Sequence, residues 1–198
     1  MTTVRQIERA WKSRQFDRLF SDLAALRPEA ALQNRPDAGW EAVAGAMALI
    51  RLDELGQSHV PLCATLIRAV VVAQQADGGW GDLVSTSICL RALLCGNGNG
   101  EAVDRGMAYL ANLQKSEGIW PSVPLRRMPE DAAVSALVLY ELGDQPAFHG
   151  AVRVDDAISW YARNEDAIDS DCAALWHRAE LRCHRQMLSN DATQWAMA

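Results

Sequence analysis

An all-helical fold assembled from stacked helical hairpins is what this sequence predicts, and three observations carry the prediction. Apolar residues recur at helical spacing through most of the chain, no segment alternates with the period of two that a half-buried strand requires, and one short motif returns after 40 residues. Self-similarity at a period of roughly 20 to 50 residues marks an array of supersecondary units, each burying its apolar face against the next.

About eight helices are expected. Between Val4 and Leu26 the residues Ile7, Trp11, Phe16, Leu19, Phe20, Leu23 and Leu26 recur at steps of mostly three to five, which is one face of a helix or of two short ones. Pro28 and Pro36 bracket a polar connection, and a second helix follows over 41–55 with Gly56 as its stop. A third is read over 60–74 and a fourth over 85–95, ended by the string GNGNG at 96–100, through which no helix could continue. Residues 101–113 form the fifth. A loop containing Pro121, Pro124 and Pro129 separates it from a sixth over 131–142, and a seventh and eighth are expected over 155–163 and 171 to about 188. The domain reading is an N-terminal helical segment over 1–36, a repeat domain over 37–188 and a flexible tail over 189–198.

The returning motif is QQADGGW at 74–80 and QKSEGIW at 114–120; both read Gln, two residues, an acid, Gly, one residue, Trp. Each copy falls between two expected helices, so the unit is a helical hairpin. AGW at 38–40 reads as a worn third copy, whereas Trp160 falls inside a helix and the last unit has lost its Gly and Trp. A Gln at a helix end can use its amide to satisfy backbone groups orphaned at neighbouring helix ends. Gly permits the tight exit, and a Trp covering the turn buries roughly 150–250 Å², at most about 4–6 kcal/mol. Gln74, Gly78, Trp80, Gln114, Gly118 and Trp120 are therefore read as structural.

The chain has 198 residues, 49% hydrophobic and 22% charged, enough for one domain with a substantial core. Its formal net charge is -6 and no stretch is dominated by Lys or Arg, which excludes a duplex nucleic-acid partner. The most apolar run, 66–73, is far shorter than the ~20 residues needed to span a bilayer, and nothing near Met1 resembles a signal peptide. A soluble cytoplasmic protein with no transmembrane segment is expected. The five cysteines (Cys63, Cys89, Cys95, Cys172, Cys183) are odd in number and form no Cys-x-x-Cys pair, so reduced, mostly buried thiols are expected.

RGMAYLANLQKSEGIW at 105–120 resembles the QW repeat of squalene–hopene and oxidosqualene cyclases at all its usual positions: basic, small, aromatic (Tyr109), aliphatic (Leu110), Gln, Gly, Trp. The earlier copy has Ala69 in place of the aromatic but keeps Gln, Asp, Gly and Trp; STSICLRALL at 85–94 and DAAVSALVLYELG at 131–143 are similar to inner helices of that superfamily, which also contains terpene cyclases and prenyltransferase β subunits. The resemblance covers roughly 38–183. It implies an α/α toroid, with inner helices around a central apolar cavity and outer helices around them. A closed toroid of this kind has about six hairpins and this chain about four, so a partial ring is implied, closed by self-association or supplemented by the N-terminal helices.

In class II cyclases of that superfamily an aspartic acid at the start of an inner helix protonates an alkene or epoxide from a dry pocket. DSDCAAL at 169–175 stands in that place: Asp171 would be the acid, Asp169 its partner, and Cys172 matches the Cys of the Asp-Cys-Thr-Ala pattern, with Ala173 departing from its Thr. Glu130 and Asp131 occupy the same place in the better preserved unit. The competing reading makes these carboxylates helix N-caps. Trp176, Tyr140 and Tyr161 are candidate cavity-lining residues. Asp169, Cys172 and His177 lack the Asp-x-Cys spacing of a prenyltransferase zinc site, and Asp155 with Asp156 lacks the third carboxylate of a magnesium-diphosphate motif; no metal and no cofactor is expected. Two functions stand as expectations: a small terpene-cyclase-like protein that binds an isoprenoid or other apolar chain and cyclises it by proton donation, or a non-catalytic toroid scaffold that binds a protein or lipid partner. Homo-oligomerisation is compatible with either.

Overall fold

The computed structural model describes residues 38–96, 98 and 100–196, with side chains described between 41 and 186. These residues form α1 (Ala38–Glu54), α2 (Pro61–Val72), α3 (Leu83–Cys95), α4 (Gly100–Leu113), α5 (Ala132–Leu142), α6 (Pro146–Ala151), α7 (Val154–Asn164) and α8 (Ser170–Ala196). A 3-10 turn, Glu165–Ala167, precedes α8. The fold is all-α: among the described residues there is no strand, only isolated bridges between Trp80 and Asp82 and between Pro121 and Glu130. The helix expected over 4–26 and the segment 1–36 lie outside the described residues.

Burial sorts the helices into two layers. On α3 the residues Leu83 to Leu90, Ala92 and Leu93 are all buried, and on α5 so are Val134, Ser135, Ala136, Val138, Leu139, Glu141 and Leu142. Burial around most of the circumference places both in the interior. By contrast α4 buries one side only, through Ala102, Val103, Gly106, Met107, Tyr109 and Leu110, and α7 buries Val154, Ala157 and Tyr161. Packing follows this division: α1 lies on α3, α3 on α5 and α5 on α8, while α2 covers α1 and α3, α4 covers α3, and α7 adjoins α8. A fully buried leucine such as Leu139 contributes about 1.5–3 kcal/mol by leaving water. Truncating it to alanine should cost about 2–5 kcal/mol.

The inner helices run parallel, since contacts link their later turns: Glu54 to Arg91, Arg91 to Glu141, and Asp144 to Arg182. Row neighbours pack extensively, and packing of that extent is not repeated between α1 and α8. The described helices therefore make an open row. Over its described side chains the last member, α8, buries a single stripe, Cys172, Trp176, Ala179 and Cys183, and turns Ala174, His177, Arg178, Leu181 and Arg185 to solvent.

Two features differ from the sequence expectation. A short helix, α6, lies between α5 and α7; Pro146 opens it and extended Val152 closes it, and six residues are too few to show a helical period. The last helix also continues to Ala196, through most of the segment expected as a tail, because no Gly or Pro after Ser170 interrupts it. AGW at 38–40 opens α1 itself, whereas the other two tryptophans precede the helix they introduce.

Candidate functional site

The two motif copies fold into the same turn. Gln75 N donates to Gly79 O at 2.9 Å and Gly78 N to Gln75 O at 3.1 Å; forty residues on, Lys115 N donates to Ile119 O at 2.9 Å and Gly118 N to Lys115 O at 3.0 Å. Both Gly78 and Gly118 have φ of 91°, a conformation that disfavours a side chain. Gln74 Nε2 donates within the turn to Gly78 O (2.9 Å) and across it to Ala102 O (2.8 Å) in the first turn of α4. Gln114 does the same with Gly118 O (2.7 Å) and Arg153 O (3.1 Å), and its Oε1 accepts from Arg153 N at 2.9 Å. Each glutamine thereby fastens one hairpin to the start of the next outer helix.

The tryptophans close the turn from inside. Trp80 Nε1 donates to Val70 O at 2.7 Å and Trp120 Nε1 to Leu110 O at 2.8 Å, carbonyls in the last turn of α2 and α4. Their backbone N–H groups donate to hydroxyls on the following inner helix, Trp80 N to Thr86 Oγ1 (2.9 Å) and Trp120 N to Ser135 Oγ (2.8 Å). Asp82 caps α3 by accepting from Ser85 N at 2.8 Å, and Asp131 caps α5 by accepting from Val134 N at 3.0 Å. The hydroxyl thus stands four residues after the cap in both units.

This frame places the carboxylates of the last unit. Asp169 accepts from Cys172 N at 2.9 Å and from Asp171 N at 3.0 Å, so it caps α8 in the manner of Asp82 and Asp131. Ala173 then occupies the position of Thr86 and Ser135, in the unit that lacks the tryptophan whose N–H such a hydroxyl accepts. Asp171 lies in the first turn of α8 and is exposed. Glu130 is half-exposed and pairs with Lys115 at 3.3 Å.

The structure does bring several of these side chains together. Cys172 is buried between the starts of α5 and α8, and desolvation, with the nearby negative charges of Asp169 and Asp131, pushes its thiol up to about 11. Tyr161 and Trp176 are buried and stacked, ring centroids 4.1 Å apart, and the Tyr161 hydroxyl donates to Ala132 O at the start of α5. Burial is the main cause raising the Tyr161 phenol well above its ordinary range, with Cys172 and Asp131 adding to it. Tyr140 is elsewhere: eight residues along α5, about 12 Å away at 1.5 Å per residue, it lies under the Arg182 guanidinium at 5.0 Å. His177 is exposed on α8, and among the described residues no three His, Cys, Asp or Glu side chains are placed to hold a metal.

A second polar cluster, for which the sequence holds no short-range signal, joins the far ends of the inner helices. Arg91 on α3 pairs with buried Glu141 on α5 at 2.7 Å and lies 3.7 Å from Glu54 on α1. Arg182 on α8 grips Asp144 at 2.6 Å. Burial alone would raise the Asp144 carboxyl, but hydrogen bonds from Arg182 and Gln145 and the charges of Arg182 and Arg91 outweigh it and hold the group below its usual 3.8. Charge pairs thus cross all four members of the inner row. No helix among the described residues is long and apolar enough to cross a membrane. No known protein family, curated protein or solved structure matches the chain.

Proposed function

We propose that this chain is a non-catalytic scaffold of helical hairpins, an incomplete α/α toroid that holds a protein or lipid partner. One observation carries the reading: the carboxylates at the starts of the inner helices either cap those helices, as Asp82, Asp131 and Asp169 do, or meet water, as Asp171 and Glu130 do. Protonating an alkene demands a carboxylic acid kept neutral by a dry pocket, and an exposed Asp171 has no such surroundings.

A second reading, the binding of an isoprenoid-like apolar chain with proton donation by Asp171, is favoured by the Gln-Gly-Trp turn and by the grouping of Asp131, Asp169 and Cys172 beside Tyr161 and Trp176. The test is incubation with squalene, oxidosqualene and prenyl diphosphates, followed by mass spectrometry of extracted lipids, wild type against Asp171→Asn. The scaffold reading expects no cyclised product, Asp171→Asn within ~0.5 kcal/mol of wild-type stability, and Asp169→Ala about 1 kcal/mol less stable through loss of its cap. A product that vanishes in Asp171→Asn would replace it with the cyclase reading.

A further inference from the structure

An arginine-tipped connection and an acidic segment adjoin where the packed helices α5 and α8 begin. The first is the connection 121–131, nine residues longer than its counterpart between Trp80 and Asp82. It is pinned at its base by the bridge between Pro121 and Glu130, by Asp131 N donating to Trp120 O at 2.9 Å, and by the Lys115–Glu130 pair. Pro121, Pro124 and Pro129 stiffen it. At its tip Val123 is 37% and Leu125 49% exposed, and beside them Arg126 and Arg127 project with no ion pair among the described residues.

The second segment runs from 165 to 171 and exposes Glu165, Asp166, Asp169 and Asp171. Among the described residues His177 is the basic side chain paired with it, 3.8 Å from Glu165. The connection ends at Asp131, the cap of α5, and the acidic segment contains Asp169, the cap of α8; the two helices pack together, and Tyr161, stacked on Trp176 of α8, donates to Ala132 O at the start of α5. Although they are neighbours within one chain, the arginines and the carboxylates form no pair with each other.

We propose that the arginine loop 122–130 and the acidic segment 165–171 together form a self-complementary surface through which two copies of this chain associate about a twofold axis. A patch with a positive half beside a negative half needs only a half-turn to lie on its own complement, which is the condition an isologous interface imposes. Val123 and Leu125 supply the apolar contact between two charged zones, and a loop already held in shape loses little entropy on binding. An anionic membrane fits less well, since lipid recognition by charge takes clusters of roughly four to eight basic residues and the acidic segment would face the same surface. The association does not depend on what else the array binds.

Sedimentation equilibrium of the full chain tests the proposal. The wild type should dimerise, with a dissociation constant that rises with added salt. Arg126→Glu/Arg127→Glu should weaken association at least about tenfold, and so should Glu165→Arg/Asp166→Arg, because each sets like charges against each other at both ends of the twofold. Mixing the two variants should restore a dimer, since every loop then meets a segment of opposite sign. Circular dichroism checks that each variant keeps the wild-type fold; if one does not, the salt titration of the wild type decides. A wild type that stays monomeric at ~100 µM, a dimer indifferent to salt or to both reversals, a mixture that fails to re-associate, or arginine-dependent binding to anionic vesicles without dimerisation would each overturn the proposal.

Discussion

Replacing Gly118 by alanine probes the closest approach in the repeat. At φ of 91° an L side chain is strained by about 1–2 kcal/mol. The added Cβ would also lie 2.4 Å from Ala157 N and 2.5 Å from the Asp156 carbonyl carbon, backbone atoms of α7 that cannot rotate aside. Either the turn or the first part of α7 must shift, an overpacking cost of about 1–3 kcal/mol. The sum, about 2–5 kcal/mol, is a large share of the ~5–15 kcal/mol that holds a domain together. Gly56 provides the control: its φ is 68°, yet a Cβ added there would meet nothing within 4 Å, so Gly56→Ala should cost only the strain. Urea denaturation of both variants, with unchanged m-values, measures the difference. Gly78→Ala should behave like Gly118→Ala, because its Cβ would meet Arg105 O at 2.5 Å. Equal losses for Gly118→Ala and Gly56→Ala would refute the argument that this turn is wedged against the next hairpin.

Other perturbations address the polar clusters and the thiols. Glu141→Ala leaves Arg91 with Glu54, at 3.7 Å, as its remaining ion pair among the described residues and should destabilise by about 2–3 kcal/mol, somewhat under the usual cost of breaking a buried pair; Arg91→Met with Glu141→Leu should recover most of it in a thermal melt. Asp144 titrates below its usual 3.8 in the fold, so its contribution is complete above that value and is lost as pH falls through the folded value; Asp144→Asn should flatten the acid limb of a stability–pH curve. Burial, aided by nearby charge, raises Cys172 to about 11, Cys183 to about 12 and Cys95 to about 11. At neutral pH a chromogenic disulfide should modify the native protein slowly, half-buried Cys95 first, and all five thiols rapidly once urea unfolds it.

What the sequence discloses depends on how far apart the cause and its effect lie along the chain. The helix ends are announced by their own residues: Gly56 takes a positive φ just after α1, Pro61 opens α2, and Asp82 and Asp131 accept the first N–H groups of α3 and α5. The Gln-Gly-Trp turn is equally legible because all its internal bonds close within ten residues. The sequence puts DSDCAAL and Glu130–Asp131 in the same place and offers capping for both, but it leaves open which carboxylate of each group makes the cap. Asp171 draws the eye in DSDCAAL, yet one turn of helix separates a capping carboxylate from a solvated one, and composition does not say which is which. The Arg91–Glu141 pair is hidden for another reason: α3 and α5 are apolar nearly all round, so no periodicity marks the side each turns to its neighbour, and the partners are fifty positions apart.

The unequal connections between a tryptophan and the cap that follows it also say where this architecture can change. Trp80 reaches Asp82 through Gly81 alone, and Trp120 reaches Asp131 through nine more residues than that, but the hydrogen bonds on either side are the same in both units. Length added there leaves the hairpins in register, so that position is a port into which a peptide can be grafted while the supporting helices keep their places.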